Sequence, residues 1–444
     1  MRSRPSRSTG LPDRSQIPAI PHIDRAYISI RMTRGRTAKG RPFLPGEGAA
    51  RDLLQRLGLA AARRHRRRLA GTAFVGVTGS GGKTTTKDLV AAVLETELRG
   101  TKTPESLNRL TIVGRTILMT RSRHDFSVHE IPAFRPGSVA EFSALVQPTI
   151  AVVTRIGGDH RATFRTLEAT AAEKRALVDA VPPDGTLVVN ADDPYAIAMA
   201  DGFSGRVISF GSSEAATLRA ADVLSAWPDS LSFTLFTQGH TLPVRTRLYG
   251  RHWTVAILAA ISVGQALGVP LERALEAVAS FEPVAGRMSV VREDGIAFVR
   301  DDLKAPLWSL DTVLEFLAEA RAQRKILVLG TISDYPGDRS STYVKFARRA
   351  LEVADEVVFV GRSAPSARRL ATIGGAVRAF ETVREAADHF GTALRSGDLV
   401  VLKGSNRADH LVRIVLARTT RVRCWRQACG RVTFCEDCRL LRVP

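Results

Sequence analysis

The sequence predicts an α/β protein, in which a parallel-sheet domain with a phosphate-binding P-loop is followed by a smaller Rossmann-like α/β domain. From Ala73 onward, short apolar runs alternate with segments of helical periodicity, which is typical of a parallel sheet covered by helices on both faces. The 444 residues are 44% hydrophobic, enough for two or three domains with ordinary cores. No apolar run is long enough to cross a bilayer, so we predict no membrane span.

Each element is predicted from its own pattern of apolar residues. Strands are short apolar runs, and helices are longer segments in which apolar residues recur every three or four positions. The alternating residues of 212–249 indicate antiparallel strands. The strands predicted for the first domain are 73–77, 126–131, 149–156, 186–191 and 206–210, and the helices are 49–70, 84–97, 138–146, 168–181 and 254–267. The strands predicted for the second domain lie near 296–302, 325–330, 356–361, 376–380 and 398–404.

The first strand leads into a glycine-rich loop that predicts the ATP site of an ATPase domain. Residues 74–87 read Phe-Val-Gly-Val-Thr-Gly-Ser-Gly-Gly-Lys-Thr-Thr-Thr-Lys, and a strand, glycines, Lys-Thr and a helix in this order form a phosphate cradle. Lys83 is expected to reach the β- and γ-phosphates, and the Thr84 hydroxyl to ligate Mg²⁺. A glycine-rich loop without a ligand is the alternative. The expected nucleotide contacts of the loop are Gly79, Ser80, Gly81, Gly82, Lys83, Thr84 and Thr85.

The spacing of this loop, Gly-x-x-Gly-x-x-Gly-Lys-Thr beginning at Gly76, resembles the loop of the Mur ligases. The resemblance extends over residues 72–418 and is most specific at the loop. It implies an ATP-dependent acid–amino-acid ligase that activates a carboxylate as an acyl phosphate, which an amine then attacks to give an amide, ADP and phosphate. The implied substrates are a small-molecule or peptide carboxylate and an amine.

Three further residues lie where a metal ion could bind. Glu130 ends an apolar strand, and such a carboxylate suits Mg²⁺, although a surface carboxylate is an equal alternative. His160 follows another strand in a glycine-rich loop, and it is either a metal ligand through a neutral imidazole or polar surface. Lys174 reads by itself as a solvated lysine. The resemblance implies metal-binding roles for all three, with His160 on a second Mg²⁺ and Lys174 carbamylated.

The resemblance also implies nucleotide contacts and catalytic groups outside the loop. Asn190 lies at the end of a predicted strand, His252 precedes a predicted helix, and Arg287 lies in the linker between the two domains. Asp302 is expected to contact the ribose, and Lys304 to lie near the transferred phosphate. The implied catalytic residues are Lys83, His160, Lys174 and Lys304.

The sequence departs from the Mur ligases at the expected adenine site. Where the family has two Asn residues after the His, one of which helps to hold adenine, this chain has Trp253 and Ala256. The change is compatible with stacking on the base instead of amide hydrogen bonds, or with a loosened nucleotide preference.

The net charge of +20 is concentrated at the two ends of the chain. Residues 1–70 contain 17 Lys and Arg against 4 Asp and Glu, and residues 418–444 contain 7 Arg against 2 acids. Because the body is nearly neutral, we do not expect nucleic acid as a partner. The basic run 63–68 is a solvated helix end or a contact to RNA or an anionic surface. No secretory signal follows the early arginines, so we expect a cytoplasmic location.

All four cysteines lie near the C-terminus, outside the resemblance. Four thiolates suit a tetrahedral structural Zn²⁺, and the Cys-x2-Cys half has the usual spacing, whereas the Cys-x4-Cys half is at its edge. Free or redox-active thiols and an iron–sulfur cluster are the alternatives. The candidate ligands are Cys424, Cys429, Cys435 and Cys438.

The chain is thus predicted to have a basic, largely disordered segment that ends in a helix (1–70), a central ATP-binding domain (71–283), a C-terminal domain (284–420) and a Cys-rich tail (421–444). Since only about 70 residues precede the loop, we expect the UDP-sugar-binding domain of cell-wall ligases to be missing. A non-UDP-sugar acid or peptide is therefore the favoured substrate. A UDP-muramoyl-peptide ligase that recruits its sugar nucleotide through a partner is one alternative, and a non-catalytic ATP- or RNA-binding regulator is another. The sequence leaves the oligomeric state open.

Overall fold

The computed structural model describes residues 47–159, 161–335, 337–367, 370, 376–427, 429–431 and 433–442. The disorder predicted for the N-terminal segment up to residue 46 and the predicted metal ligand His160 lie outside these residues. The chain divides into two compact units after Arg56. The architecture below is that of the second unit, except that the first helix begins before this division. No described helix has the length and apolar character that crossing a bilayer requires.

A sheet of nine strands forms the first part of the described fold. In chain order the strands are β1 (Ala73–Thr78), β2 (Gly100–Lys102), β3 (Phe126–Glu130), β4 (Ile150–Val153), β5 (Thr186–Asn190), β6 (Arg206–Gly211), β7 (Leu218–Leu224), β8 (Ser232–Thr237) and β9 (His240–Arg245). Their order across the sheet is β2-β3-β1-β4-β5-β6-β7-β8-β9. All neighbours from β2 to β7 in this order are parallel, and β8 and β9 are added antiparallel.

Helices cover both faces of this sheet, because its central strands are apolar on both sides. Along β1, Val75 and Val77 enter one core cluster whereas Phe74 enters the other, as the alternation of side chains in a strand requires. The apolar helix α8 packs against α2 and is a core element. The helices are α1 (Glu47–Arg66), α2 (Lys83–Leu94), α3 (Leu110–Met119), α4 (Ser138–Val146), α5 (Arg161–Phe164), α6 (Leu167–Val178), α7 (Pro194–Ile197), α8 (Thr254–Ala266) and α9 (Leu271–Ser280).

A second sheet of six strands follows. Its strands are β10 (Ser289–Glu293), β11 (Ile296–Asp301), β12 (Arg324–Leu329), β13 (Glu356–Val360), β14 (Val377–Phe380) and β15 (Asp398–Lys403), and its helices are α10 (Leu310–Glu319), α11 (Arg339–Ala350), α12 (Ala364–Ala367), α13 (Val383–Ala393), α14 (Val412–Thr419) and α15 (Arg439–Arg442). The order is β10-β11-β15-β12-β13-β14. Only the β10–β11 pair of this described sheet is antiparallel.

The predicted fold class is confirmed, and each predicted strand agrees with the observed one to within three residues. Several elements were missed, among them α9, β2, α3 and β10. The strand β2 has only three residues, too few for a periodic signal. The helix α3 is rich in β-branched residues, which have a low helix propensity. The strand β10 is a half-buried edge strand without a clear alternation.

One buried arginine at the end of α1 forms hydrogen bonds with the C-terminus of α4, beside the first sheet. Arg66 Nε donates to the Val146 carbonyl oxygen at 2.7 Å, and Nη2 donates to the Gln147 carbonyl oxygen at 2.6 Å. Its guanidinium carbon lies 3.8 Å from the centre of the Phe74 ring. A cation at the C-terminus of α4 also interacts favourably with the helix dipole. The basic run 63–68 is therefore not a uniformly solvated surface.

Replacing Arg66 by methionine is expected to lower the free energy of unfolding by about 2–4 kcal/mol, because two charge-assisted hydrogen bonds and a cation–ring contact are lost. Urea unfolding followed by circular dichroism measures the change. Arg67→Met is the matched control, because Arg67 is exposed and its replacement should change the stability by no more than about 0.5 kcal/mol. Equal stabilities of the two variants would contradict the role of Arg66.

Candidate active site

The loop between β1 and α2 is shaped by two glycines with positive φ. Gly79 has φ +140°, and a Cβ there would lie 2.0 Å from Thr154 Oγ1. Gly82 has φ +75° and lies immediately before α2. Only glycine can follow this path, since the chain that leaves β4 packs directly against Gly79. Lys83 Nζ donates to the Gly79 carbonyl oxygen at 2.5 Å, so the lysine lies across the loop.

The predicted Mg²⁺ ligands Thr84 and Glu130 are neighbours. Thr84 Oγ1 donates to Glu130 Oε2 at 2.7 Å, because β1 and β3 are adjacent parallel strands whose carboxyl ends lie side by side. Asn108 Nδ2 donates to the other oxygen of Glu130 at 3.2 Å. Arg287 Nη2 donates to Thr84 Oγ1 and to Ser106 Oγ, each at 3.0 Å. The linker between the two sheets therefore contacts the phosphate loop directly.

A second group of charges lies on the other side of the loop around Asp159. Lys174 is fully buried, and its Nζ donates to Asp159 Oδ2 at 3.2 Å. Lys83 Nζ lies 3.9 Å from the same oxygen, and Ser80 Oγ donates to Asp159 Oδ1. Burial, and then the charge of Lys83, lower the pKa of Lys174 to about 8. Asp159 is not among the site residues predicted from the sequence, although its place in the glycine-rich loop beside His160 is a signal that could have identified it.

The residues expected near the nucleoside lie at the ends of β5 and the loop before α8. Asn190 Nδ2 donates to the Thr154 carbonyl oxygen at 2.8 Å, so the amide braces the turn behind the phosphate loop. His252 and Trp253 have ring centres 4.4 Å apart. Burial lowers the pKa of His252 to about 4, and the ring is therefore neutral at pH 7. Both rings and Ala256 face the cavity described below.

The second sheet contributes the chain that follows β11. Lys304 lines the cavity, and burial together with the nearby Arg287 lowers its pKa. Asp301 lines the cavity as well, and Lys403 Nζ donates to its Oδ2 at 2.5 Å. Trp308 lies against the phosphate loop, since a Cβ added to Gly81 would be 2.9 Å from its ring. The two sheets thus approach each other across the loop.

The structure does not place Asp302 where the resemblance implied. Its side chain is fully buried, it does not line the cavity, and Arg300 Nε lies 3.4 Å from its Oδ1. Burial raises the pKa of Asp302. Because neighbouring residues at a strand end point to opposite sides, the acid that faces the cavity is Asp301, one position earlier.

Residues from both sheets enclose a cavity of about 410 Å³. It lies at the carboxyl ends of the parallel strands, where ligands bind in open α/β sheets. Thr85 is buried in α2 and Lys174 is buried behind Asp159; neither lines the cavity, and nor does Gly79. The predicted site residues that do line it are Ser80, Gly81, Gly82, Lys83, Thr84, Glu130, Asn190, His252, Arg287 and Lys304.

The cysteines of the tail do not form the predicted zinc site. Within the described residues, no group of three or more His, Cys, Asp or Glu side chains could hold a metal ion. Arg413 Nε donates to Cys435 Sγ at 3.3 Å, and Arg413 Nη2 donates to Cys424 Sγ at 3.8 Å. A guanidinium therefore contacts two of the predicted sulfur ligands, and its positive charge would repel a divalent cation. All four cysteines are free thiols.

Both halves of the chain match known protein domains. Residues 77–264 match the family described as Mur ligase middle domain, and residues 286–406 match the Mur ligase, glutamate ligase domain. A UDP-N-acetylmuramoyl-tripeptide–D-alanyl-D-alanine ligase of Mycobacterium leprae is 33% identical over 371 residues, and the match covers 76% of this chain and 71% of that relative. The ligase of the same name from Mycobacterium tuberculosis strain H37Rv is 31% identical over 363 residues, with 76% and 71% covered.

Solved structures have the same fold. MurF from Acinetobacter baumannii matches with a TM-score of 0.75 at 24% identity, covering 82% of this chain and 80% of that one. The MurF ligase from Thermotoga maritima in complex with ADP matches with a TM-score of 0.73 at 24% identity, covering 87% and 86%. At this level of identity the likeness is one of fold alone.

A phosphate loop that faces lysines, an arginine and carboxylates across a cleft between two α/β sheets defines a P-loop enzyme of the ATP-binding class. The chain is more than 30% identical to ligases of known name and covers more than two thirds of their length, which identifies the family within this class. The chain belongs to the Mur ligase family. It is accordingly an ATP-dependent, ADP-forming ligase, as the resemblance of its loop implied.

Replacing Gly79 by alanine is expected to weaken ATP binding at least about tenfold, because the new Cβ would collide with Thr154 Oγ1 and force the loop off its path. Titration calorimetry with ATP measures the affinity. Gly71→Ala is the control, since a Cβ at Gly71 meets no atom within 4 Å, and it should bind as the wild type does. Wild-type affinity in Gly79→Ala would show that the loop tolerates another path.

Proposed function

We propose that this chain forms an amide bond between a peptide carboxylate of a cell-wall precursor and an incoming amine. The relatives at 31–33% identity are named for UDP-N-acetylmuramoyl-tripeptide and D-alanyl-D-alanine, which supports a substrate pair of this kind. No comparison supports the non-UDP-sugar acid that the sequence analysis favoured. The cell-wall ligase, which was the alternative there, is therefore the main proposal.

We also propose that residues 71–283 and 284–420 act as an ATP-binding and a C-terminal domain. The two family matches fall inside these ranges. The strands of the first sheet end before the linker that carries Arg287, and the second sheet begins after it. Closure of two such domains around a substrate would exclude water from the acyl phosphate.

The observation that carries the proposal is the convergence of cations on the phosphate loop. Lys83, Arg287 and Lys304 line one cavity together with Glu130 and Asp159. Transfer of a phosphoryl group to a carboxylate brings two anions together, and their repulsion must be offset by fixed positive charge. Mere nucleotide binding would not require a lysine from the second sheet at this place.

The residues around Thr84 fit Mg²⁺. Thr84 Oγ1 and Glu130 Oε2 are oxygen donors 2.7 Å apart, and hard divalent cations prefer such donors. When bound, Mg²⁺ offsets the charge of the phosphate oxygens. Asn108 and Arg287 hold the two donors in place through their hydrogen bonds.

In the proposed reaction, a carboxylate oxygen of the acid attacks the γ-phosphorus and the bond to the leaving ADP oxygen breaks. The amine then attacks the acyl carbon, loses a proton and expels phosphate. Lys83 would exchange its bond to the Gly79 carbonyl oxygen for the phosphates. Lys304 would face the phosphoryl group as it is transferred, because it enters the cavity from the opposite sheet.

Lys174 has the surroundings that carbamylation needs. Only a neutral amine reacts with CO₂, and a pKa lowered to about 8 makes the neutral fraction near neutral pH larger than that of an ordinary lysine. The carbamate would replace the cation beside Asp159 by a carboxylate-like group and so create a second set of oxygen donors. These donors would lie across the loop from Glu130. We propose His160 as a further ligand of a second Mg²⁺.

The substrate proposal is tested by phosphate release from ATP in the presence of Mg²⁺. UDP-N-acetylmuramoyl-tripeptide and D-alanyl-D-alanine together should stimulate release at least about tenfold over either alone, with the amide product visible by mass spectrometry. Glu130→Gln should abolish the stimulation, whereas Glu95→Gln, which changes an exposed glutamate, should retain it. Equal stimulation by the free tripeptide would favour the non-UDP-sugar acid. No stimulation by any acid–amine pair would remove this substrate class.

The carbamate on Lys174 is expected to increase with pH. Because the neutral fraction of an amine rises as the pH passes through its pKa, here about 8, occupancy should rise between about pH 7 and pH 9. A ¹³C resonance after addition of labelled bicarbonate measures it, and bicarbonate should raise ATP turnover over the same range. The resonance should be absent from Lys174→Met and present in Lys345→Met, which changes an exposed lysine. Bicarbonate-independent turnover without a resonance would exclude the modification.

A further inference from the structure

The Cys-rich tail is part of the folded second unit, although the match to the Mur ligase domains ends at residue 406. Val422, Cys435 and Leu441 pack in one apolar cluster with Val412 of α14. The two ends of the tail are joined by the hydrogen bond from Arg423 N to the Leu441 carbonyl oxygen at 2.9 Å. Between these ends, the short turn Cys435–Asp437 is anchored through Cys435, which is buried in the cluster.

This turn places one acid against the end of β11. Glu436 Oε1 accepts a hydrogen bond from Arg300 Nη1 at 2.6 Å. Arg300 Nε in turn lies 3.4 Å from Asp302 Oδ1, and the side chains of Arg300 and Asp302 are 6% and 0% exposed. Neither oxygen of Asp302 has a hydrogen-bond partner among the described residues. Arg300 thus forms an ion pair with Asp302 on one side and with Glu436 on the other.

Asp302 lies between two residues that face the active site. Asp301 before it and Lys304 after it both line the cavity. The main chain between them is fixed at Leu303, whose N–H donates to the Gly286 carbonyl oxygen at 3.2 Å. If Asp302 left its buried position, the chain would rotate and both cavity residues would turn with it.

A second contact leads from the same turn toward the neighbouring loops. Cys435 Sγ lies 3.5 Å from His410 Nδ1. The adjacent Asp409 accepts hydrogen bonds from Thr331 N and Ser405 N, each at 2.7 Å, and so joins the loops after β12 and β15. The tail therefore contacts the second-sheet part of the site at two places, through Glu436 at Arg300 and through Cys435 at His410.

We propose that Glu436 is a positioning residue of the ligase: it holds Arg300 so that Asp302 stays buried and Lys304 faces the phosphate loop. Without the Glu436 charge, the buried guanidinium loses one of its two carboxylate partners and its hydrogen bond to residue 436 is weakened, so it turns toward Asp302 or toward water. Either movement displaces the chain 301–304. The proposal rests on the proposed function for the action of Lys304, whereas the position of the chain can be measured without any substrate.

Amide hydrogen exchange of the whole chain tests the positioning directly. In Glu436→Gln, peptides of 301–309 should exchange at least about fivefold faster than in the wild type, and the loop peptide 74–87 should not change. Asp437→Asn is the matched control, because it removes the same charge from an exposed residue of the same turn. Glu436→Asp keeps the charge on a shorter side chain and should give an intermediate rate.

Unchanged exchange of 301–309 in Glu436→Gln, or exchange equal to that of Asp437→Asn, would overturn the proposal. Uniformly faster exchange over β11–β15 would overturn it as well, because the tail would then only stabilise the second sheet. If Glu436→Gln does not fold, the Glu436→Asp variant decides by the same criterion.

Turnover gives an independent measurement. In Glu436→Gln, kcat for substrate-stimulated phosphate release should fall about tenfold, while KM for ATP changes less than about twofold, because the nucleotide is held by the first sheet. A parallel change of both parameters would contradict a positioning role. Failure of the proposed function would instead appear in the wild type, as phosphate release that no acid–amine pair stimulates, and it would leave the exchange result standing.

Discussion

Opposition of buried charges around the phosphate loop is the constraint on which the rest of the structure depends. Glu130 is 5% exposed and Lys174 is fully buried, and an ionised group taken out of water is costly unless it is paired or hydrogen-bonded. Glu130 accepts a hydrogen bond from Thr84, which lies at the start of α2 after β1, and Lys174 of α6 donates to Asp159 in the loop after β4. A parallel sheet supplies such partners because the carboxyl ends of its strands lie along one edge. The buried charges of the site therefore require a parallel sheet, because only adjacent parallel strands bring their partners to the same edge.

The same edge explains which parts of the site could be predicted from the sequence. Lys83 and Thr84 follow from the spacing of the glycines. Glu130 is a candidate from its place at the end of an apolar run, and the resemblance to the family favoured a metal ligand over a surface carboxylate. Asp301 and Asp302 mark where this reasoning fails. Both are acids after the same strand, and alternation sends one into the cavity and the other into the core. The apolar pattern shows that a strand ends here but does not fix its last paired residue, which decides the direction of each side chain.

Contacts between distant segments were beyond sequence reasoning for a different reason. The bond of Arg287 to Thr84 spans 203 positions, and it exists because the linker between the sheets passes over the loop. The spacing of the cysteines predicted a zinc site because spacing describes only residues that are close together in the chain. Arg413 of α14 donates hydrogen bonds to Cys424 and Cys435. The sequence of the tail does not indicate that this cation lies there. Spacing identifies candidate ligands, whereas the packing decides what lies between them.

The two halves of the site are positioned by different means. In the first half, functional groups stand on the ends of hydrogen-bonded strands and on α2, so the sheet itself fixes them. In the second half, Lys304 stands on irregular chain whose place depends on the buried acid Asp302 and on backbone bonds at Leu303. The position of such an irregular segment can change when one distant charge is removed, because the energy of a buried ion depends strongly on the charges that pair with it. The proposed action of Glu436 follows from this difference: a charge supplied by the tail would change the alignment of Lys304, whereas the groups of the first half would keep the positions that their sheet gives them.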